Sequence, residues 1–146
     1  MAHGNDRMRE KNPDTITLGV LSAIESDDRA TQRAISKELG IALGLTNAYL
    51  KRCVKKGYIK IQQIPANRYA YYLTPQGFAE KSRLTADYLS MSFNFFRSSR
   101  EQCAEILQVC EGRRWSRVAL AGCGDLAEIF SLCRREDSKV EVVGII

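Results

Sequence analysis

Basic side chains are concentrated in one stretch of this sequence that contains no acidic residue. The 41 residues from Leu39 to Ala79 include no Asp or Glu, whereas residues 1–38 carry seven acids and six bases and residues 80–146 carry ten of each. The net charge of +5 therefore arises in this segment. A patch of one sign attracts phosphate, whereas a merely solvated face usually mixes both signs, so we expect a polyanionic partner. The bases are Lys51, Arg52, Lys55, Lys56, Lys60 and Arg68.

A second pattern with chemical meaning is G-x-G-x-x-A, formed by Gly122, Gly124 and Ala127. It follows an apolar run, RVALA, and opens a helical segment. Glycines at this spacing allow a tight turn and close approach of a nucleotide phosphate to a helix N-terminus. The alternative is a structural turn that binds no ligand.

Other residue types argue against several function classes. The single histidine, His3, lies in the leader, which disfavours histidine-based catalysis and histidine metal sites. No apolar run approaches the roughly 20 residues of a membrane span, so we expect a cytoplasmic protein without membrane association. We expect no enzymatic activity and no metal. The cysteines form no C-x-x-C pair and are expected to be small buried hydrophobes; they are Cys53, Cys103, Cys110, Cys123 and Cys133.

The basic residues fall on a predicted order of helix, helix, turn, helix and hairpin. Asn12-Pro13 opens a first helix with Ile16, Val20, Leu21 and Ile24 on one face. Thr31 caps a second helix, Gln32 to Leu39, with Ala34, Ile35 and Leu39 inward, and Gly40 permits the turn. A third helix, Leu43 to Lys56, turns Thr46, Tyr49, Leu50 and Cys53 toward the core. Tyr58–Ile64 and Tyr69–Leu73 alternate as strands of a hairpin.

Such an arrangement suits insertion of the third helix into the major groove of DNA. The outward positions must be short, polar or basic, and their neighbours must hold phosphates. Five residues are predicted to approach bases: Leu43, Gly44, Asn47, Ala48 and Lys51. Five others are predicted to hold phosphates: Thr31, Gln32, Arg52, Lys55 and Lys60. Arg68, at the hairpin tip, could enter a minor groove.

The segment from Ile16 to Lys81 resembles the MarR-type winged helix-turn-helix regulators. The resemblance is carried by TQRAISKELGIALGLTNAYLKRCVKKGYIKI and by the wing NRYAYYLTPQGFAEK, with its L-T-x-x-G from Leu73 to Gly77. It implies a DNA-binding regulator of transcription. The alternative is a winged helix used for protein contacts.

A long apolar stripe follows the wing. Residues 78–111 contain no glycine or proline, and apolar or small residues recur in alternating steps of three and four. This spacing predicts a coiled-coil-like seam, in one helix or in two. We expect it to form a homodimer, with intramolecular packing as the alternative. The predicted dimer contacts are Leu89, Phe93, Phe96, Cys103, Leu107 and Cys110.

The C-terminal stretch reads strand, glycine turn, helix, strand, and resembles the first βαβ unit of a Rossmann-type nucleotide-binding domain. One unit is not a closed domain, so this chain is expected to bind no cofactor. Binding of a nucleotide or dinucleotide would require a longer natural product. An alternative function is therefore a nucleotide-sensing or DNA-targeted protein whose Rossmann-type effector or catalytic domain is truncated here.

The predicted fold class is therefore mainly α with a small β wing, followed by a long dimerisation helix and an incomplete Rossmann-like βαβ unit. Its divisions are a disordered leader (1–12), the DNA-binding domain (13–74), the dimerisation segment (75–112) and the βαβ unit (113–146). The predicted function is sequence-specific regulation of transcription by a homodimer on double-stranded DNA.

Overall fold

The computed structural model describes residues 12–65, 68–134 and 138–146. The predicted disordered leader, apart from Asn12, lies outside these residues, as does the tip of the predicted hairpin at residues 66 and 67. Nine helices and strands occur in the described part of the chain: α1 (Pro13–Ser26), α2 (Gln32–Leu39), α3 (Leu43–Lys55), β1 (Ile59–Ile64), β2 (Arg68–Leu73), α4 (Pro75–Gly112), β3 (Arg117–Leu120), α5 (Asp125–Cys133) and β4 (Glu141–Ile145).

The described residues divide into two compact units, 12–88 and Leu89–Ile146. We call them the N-terminal unit and the C-terminal unit. Helix α4 is continuous over its 38 residues, about 57 Å at 1.5 Å per residue, and contributes residues to both units. Of the two alternatives that the sequence left open, one long helix or two, the structure has the single helix.

Three helices and a hairpin enclose the core of the N-terminal unit. Val20, Leu21 and Ile24 of α1 pack with Ile35 of α2 and Leu50 of α3, and all five side chains are essentially inaccessible to water. The predicted caps begin these helices: the side chain of Asn12 accepts the amide of Asp14 at 3.0 Å, and that of Thr31 accepts the amide of Ala34 at 3.1 Å. Apolar residues spaced by three or four along each helix thus decide which side faces inward.

Two details of the predicted core differ in the structure. Ala34 is exposed, because α2 has only eight residues and Ile35 alone is fully buried on it. The alternating pattern of β1 predicts Ile59 and Ile61 on one face, but Ile59 is buried whereas Ile61 is about half exposed. On the hairpin, full burial is therefore confined to Ile59 of β1 and to Ala70 and Tyr71 of β2.

The hairpin is antiparallel, with a register from Ile59 opposite Leu73 to Ile64 opposite Arg68. Strand β2 is also hydrogen-bonded on the side away from β1, since the amide of Tyr71 donates to the carbonyl oxygen of Asp28 at 2.9 Å. This bond ties β2 to the loop between α1 and α2. Helices followed by such a hairpin form the winged helix that the sequence predicted.

The L-T-x-x-G motif forms the junction between the hairpin and α4. The Thr74 hydroxyl donates to the carbonyl oxygen of Gly57 and accepts the amide of Gly77 at 3.0 Å. Gly77 lies so close to β1 that a Cβ atom there would be 2.1 Å from the carbonyl oxygen of Tyr58. Only glycine allows this approach, which explains the residue type at the last position of the motif.

In the C-terminal unit, β3 and β4 pair in parallel and α5 connects them. The core consists of Cys103, Leu107 and Cys110 from α4 with Ile129, Phe130 and Val140. The predicted βαβ order is therefore present. A Rossmann-type unit is not confirmed, because the described residues form a sheet of two parallel strands only.

This core corrects part of the predicted dimer seam. Cys103, Leu107 and Cys110 are buried against α5 and Val140 of the same chain, so their side chains are not available to a second copy. The physical reason is that a stripe with steps of three and four packs equally well against a helix of its own chain. The cysteine prediction also needs correction, since Cys123 is exposed and Cys133 is only partly buried.

The junction at Gly77 generates a stability prediction. Gly77→Ala should lower the free energy of unfolding by about 3 kcal/mol, because the added methyl group meets a backbone oxygen that cannot move without disturbing β1. Urea unfolding followed by circular dichroism measures the change.

Gly44→Ala is the matched control for Gly77→Ala. A Cβ at Gly44 would meet no heavy atom within 4 Å, and alanine in an exposed helix should raise stability by up to about 1 kcal/mol. Equal stability of the two variants would contradict the close approach at Gly77.

Candidate nucleic-acid interface

Helix α3 has one buried face and one exposed face. Thr46, Leu50 and Cys53 point into the core and have almost no exposure. The opposite side, given by the period of 3.6 residues, carries four exposed residues: Gly44, Ala48, Lys51 and Lys55. We call these four residues the outer face of α3.

The outer face has the chemistry of a groove-binding surface. Gly44 and Ala48 have little or no side chain, so another molecule can approach the backbone of the first turns closely. Lys51 and Lys55 follow one turn apart and supply positive charge to the same face. The helix starts after a sharp turn at Gly40, whose φ of 63° favours glycine.

Two of the residues predicted to approach bases lie at one edge of the outer face. Leu43 is about half exposed and lines a cavity beside the wing, and Asn47, one turn later, is partly buried. The structure thus brings Gly44, Ala48 and Lys51 together, with Leu43 and Asn47 at their flank.

Arg52, by contrast, lies at the other edge of α3. It lines a small cleft with Asp14, Lys56 and Glu80. Glu80 accepts two hydrogen bonds from Arg83. This hydrogen bonding holds the pKa of the Glu80 carboxyl below its usual range. This edge therefore mixes both signs of charge, unlike the outer face.

Cys53 has no role on this surface. Burial raises the pKa of its thiol to about 11, although the nearby charges of Lys56 and Arg52 act in the opposite direction. A thiol with this pKa remains protonated at neutral pH and is a poor nucleophile.

The start of α2 and strand β2 of the wing form a second basic surface. Between them lies a cavity of about 940 Å³, lined by three arginines: Arg29, Arg33 and Arg68. We call it the wing cavity. Arg68 was predicted from its place at the hairpin tip. Arg29 and Arg33 were not predicted from the sequence, because charges balance over residues 1–38 and only their position beside the cap residue Thr31 could have indicated them.

Thr31 and Gln32 lie at this surface but are already partly engaged. The Thr31 oxygen accepts the amide of Ala34, which leaves its hydroxyl hydrogen available for donation. The Gln32 side-chain amide donates to the hydroxyl of Tyr71 at 3.2 Å and retains one further N–H. Lys60 is exposed on β1, opposite Tyr72.

The glycine turn of the C-terminal unit has room for a ligand but carries the wrong charge for a phosphate. Gly122 has a φ of 90°, and a Cβ on Gly122 or Gly124 would meet no heavy atom within 4 Å. The amide of Ala127 donates to the carbonyl oxygen of Gly124 at 2.9 Å, as the first bond of α5. The first turn of α5 includes Asp125 and Glu128, and two carboxylates there oppose a bound anion. These observations favour a structural turn.

The described residues show no other candidate site of the kinds considered above. Among residues 12–65, 68–134 and 138–146, no group of three or more His, Cys, Asp or Glu side chains could hold a metal ion. None of the helices in this part of the chain is both long and apolar enough to cross a membrane.

The first half of the predicted dimer seam is exposed in the part of the chain that the structure describes. Leu89, Phe93 and Phe96 are 46, 61 and 39% exposed and share one face of α4. Met91 and Phe95, on another face, are also exposed. A helix that is apolar on more than one side is usually buried against other protein.

Comparisons with known proteins agree with this architecture. Residues 13–60 match the family model of winged helix-turn-helix DNA-binding domains, which confirms the predicted domain type. No curated protein sequence matches the chain.

Several solved structures share the fold. Sso10a-2, a DNA-binding protein from Sulfolobus solfataricus, is 21% identical with a TM-score of 0.53, over 66% of this chain and 97% of that protein. The PcaV transcriptional regulator from Streptomyces coelicolor is 20% identical with a TM-score of 0.53, over 68% of this chain and 78% of the regulator. A MarR family transcription regulator is 20% identical with a TM-score of 0.51, over 74% of each chain.

Proposed function

We propose that the chain is a DNA-binding regulator of transcription that reads duplex DNA through α3 and the wing. The single observation that carries the proposal is the outer face of α3, which combines two residues of minimal size with two lysines on a winged helix. A major groove about 12 Å wide admits a helix with such a face, and small residues let its backbone approach the base edges.

The predicted contacts other than Leu43 and Arg52 each have a role in this proposal. Lys51, with Asn47 beside it, lies where base edges would be, and both side-chain types can pair with purines. Lys55 and Lys60 contribute phosphate contacts, and Thr31 and Gln32 do so at the start of α2. Arg68 approaches a minor groove. Arg29 and Arg33 of the wing cavity add further phosphate contacts.

We further propose that the protein acts as a homodimer through the exposed first half of the seam. Leu89, Phe93 and Phe96 supply large apolar area on one face of α4. A second copy of the same helix would cover it by the isologous pairing that two-fold dimers use, and two copies would read two half-sites. The division into a DNA-binding domain (13–74), a dimerisation segment (75–112) and a βαβ unit (113–146) belongs to this proposal.

Salt dependence tests the DNA-binding proposal. If Arg29, Arg33, Lys55 and Lys60 neutralise about four phosphates per protomer, the slope of log K against log salt should be about −3.6 per protomer, from roughly −0.9 per phosphate. Fluorescence anisotropy with a labelled duplex at several salt concentrations measures this slope. An affinity that does not change with salt would refute the proposal.

Lys51→Ala and Arg52→Ala test which face of α3 meets DNA. Lys51→Ala should lower the preference for a selected duplex over a scrambled one by about 1–3 kcal/mol, because a base contact is lost. Arg52→Ala is the matched control one residue away. It should weaken the free energy of binding to either duplex by less than half of that amount, because Arg52 lies on the mixed-charge edge. The reverse order would show that α3 presents its other edge to DNA.

Phe93→Glu tests the dimer. An unpaired charge in the buried seam costs several kcal/mol, so the dimer should weaken by about 100-fold or more. Analytical ultracentrifugation across a concentration series measures the equilibrium.

Two variants control for charge and for the face of the helix. Asn94→Glu adds the same charge at a polar exposed position and should leave the dimer intact. Phe95→Glu changes a residue of the same type on another face of α4. Loss of the dimer in Phe95→Glu but not in Phe93→Glu would place the interface on that other face, and a monomeric wild-type protein would exclude the dimer.

A further inference from the structure

Two cysteines that are distant in sequence meet in the C-terminal unit. Cys103 lies on the buried side of α4, and Cys133 is the last residue of α5. The Cys133 thiol donates to the carbonyl oxygen of Arg100, one turn before Cys103, with 4.0 Å between the sulfur and oxygen atoms. Cys133 also packs against the apolar cluster that contains Cys103. The end of α5 is thus held against the turn of α4 that carries Cys103.

The environments of the two thiols differ in a way that matters for oxidation. Cys103 is 7% exposed, and burial, followed by the neighbouring Cys133 thiol, raises the pKa of its thiol. Cys133 is partly exposed and lines a cavity of about 430 Å³ that is open to solvent and also bordered by Glu111 and Lys139. A small oxidant can therefore reach Cys133 through this cavity, whereas Cys103 is covered.

We propose that Cys103 and Cys133 form a reversible disulfide when the protein meets a peroxide. The Cys133 sulfur attacks the peroxide, the O–O bond breaks, and Cys133 becomes a sulfenic acid while water leaves. The Cys103 sulfur then attacks the Cys133 sulfur, the S–O bond breaks, the S–S bond forms, and a second water leaves. Two thiols lose one electron pair in total, which reduces one peroxide. A dithiol reductant restores both thiols.

The disulfide would change the mechanics of the C-terminal unit. It closes the chain between the middle of α4 and the end of α5 around β3 and the glycine turn, and it ties α5 to α4 through the core that these helices share. A cross-link of this kind restricts the unfolded chain, so the oxidised unit should melt at a temperature higher by about 5 °C or more.

The other cysteines are not suited to this reaction. Cys53 belongs to the N-terminal unit and is fully buried. Cys110 is buried two turns beyond Cys103 on α4, away from the end of α5. Cys123 is exposed at the glycine turn and provides an internal comparison, since it can react with the reagent but has no thiol partner in the contacts described above.

The test treats the full reduced chain with hydrogen peroxide, blocks remaining thiols with N-ethylmaleimide, and identifies cross-linked tryptic peptides by fragment-ion mass spectrometry. Fragmentation is required because peptide 101–113 contains Cys103 and Cys110, and peptide 118–134 contains Cys123 and Cys133. The expected product is a Cys103–Cys133 link within one chain, with loss of two titratable thiols and recovery of both after reduction.

Variants separate the two steps. In Cys103→Ala, a sulfenic acid should accumulate at Cys133 and be trapped by dimedone, whereas in Cys133→Ala no cross-link and no sulfenic acid at Cys103 should appear. Cys123→Ala should cross-link like the wild type. A link through Cys110 or Cys123, or complete alkylation of Cys103 and Cys133 after peroxide treatment, would overturn the proposal. The wild-type peptide map alone suffices for this decision if the Cys103 variant does not fold.

Discussion

Burial of the inner face of α3 is the constraint on which the candidate DNA surface depends. Thr46, Leu50 and Cys53 pack with α1 and β1 and leave α3 no freedom to rotate about its axis. A rotation by one residue, about 100°, would move polar or charged side chains toward the core at a cost of several kcal/mol. The direction in which Lys51 and Lys55 point is thus decided by apolar packing on the opposite side of the same helix.

Hydrogen bonds and one close backbone contact fix the base of the hairpin. Thr74 bonds to Gly57 and Gly77 at once, and the missing side chain of Gly77 lets α4 begin directly against Tyr58. Tyr71 connects β2 to the α1–α2 loop through its amide and to Gln32 through its hydroxyl. The positions of Lys60 and Arg68 follow from these bonds, because both residues extend from strands that are anchored at one end.

The C-terminal unit shows one pattern serving two purposes. Steps of three and four run along the whole of α4, but Cys103, Leu107 and Cys110 are covered by α5 and Val140, whereas Leu89, Phe93 and Phe96 are exposed. Apolar periodicity predicts that a helix face will be buried, but it does not identify the partner that buries it. The same packing brings Cys133 to Cys103.

The sequence alone determined the order of the elements, the caps at Asn12 and Thr31, the inner face of α3 and the acid-free basic segment. These properties are local: they depend on residue types at spacings of a few positions, which helix and strand geometry translate directly into faces and ends. It also indicated a DNA-binding domain, in agreement with the family model matched by residues 13–60. The tertiary structure decided which side chains from distant segments meet. Arg29 and Arg33 join Arg68 at the wing cavity, Arg52 falls on a mixed-charge edge with Glu80, and half of the predicted seam is buried by its own chain. No spacing rule contains this information, because such contacts depend on how separate helices and strands pack, and packing selects among many arrangements that satisfy the same local pattern.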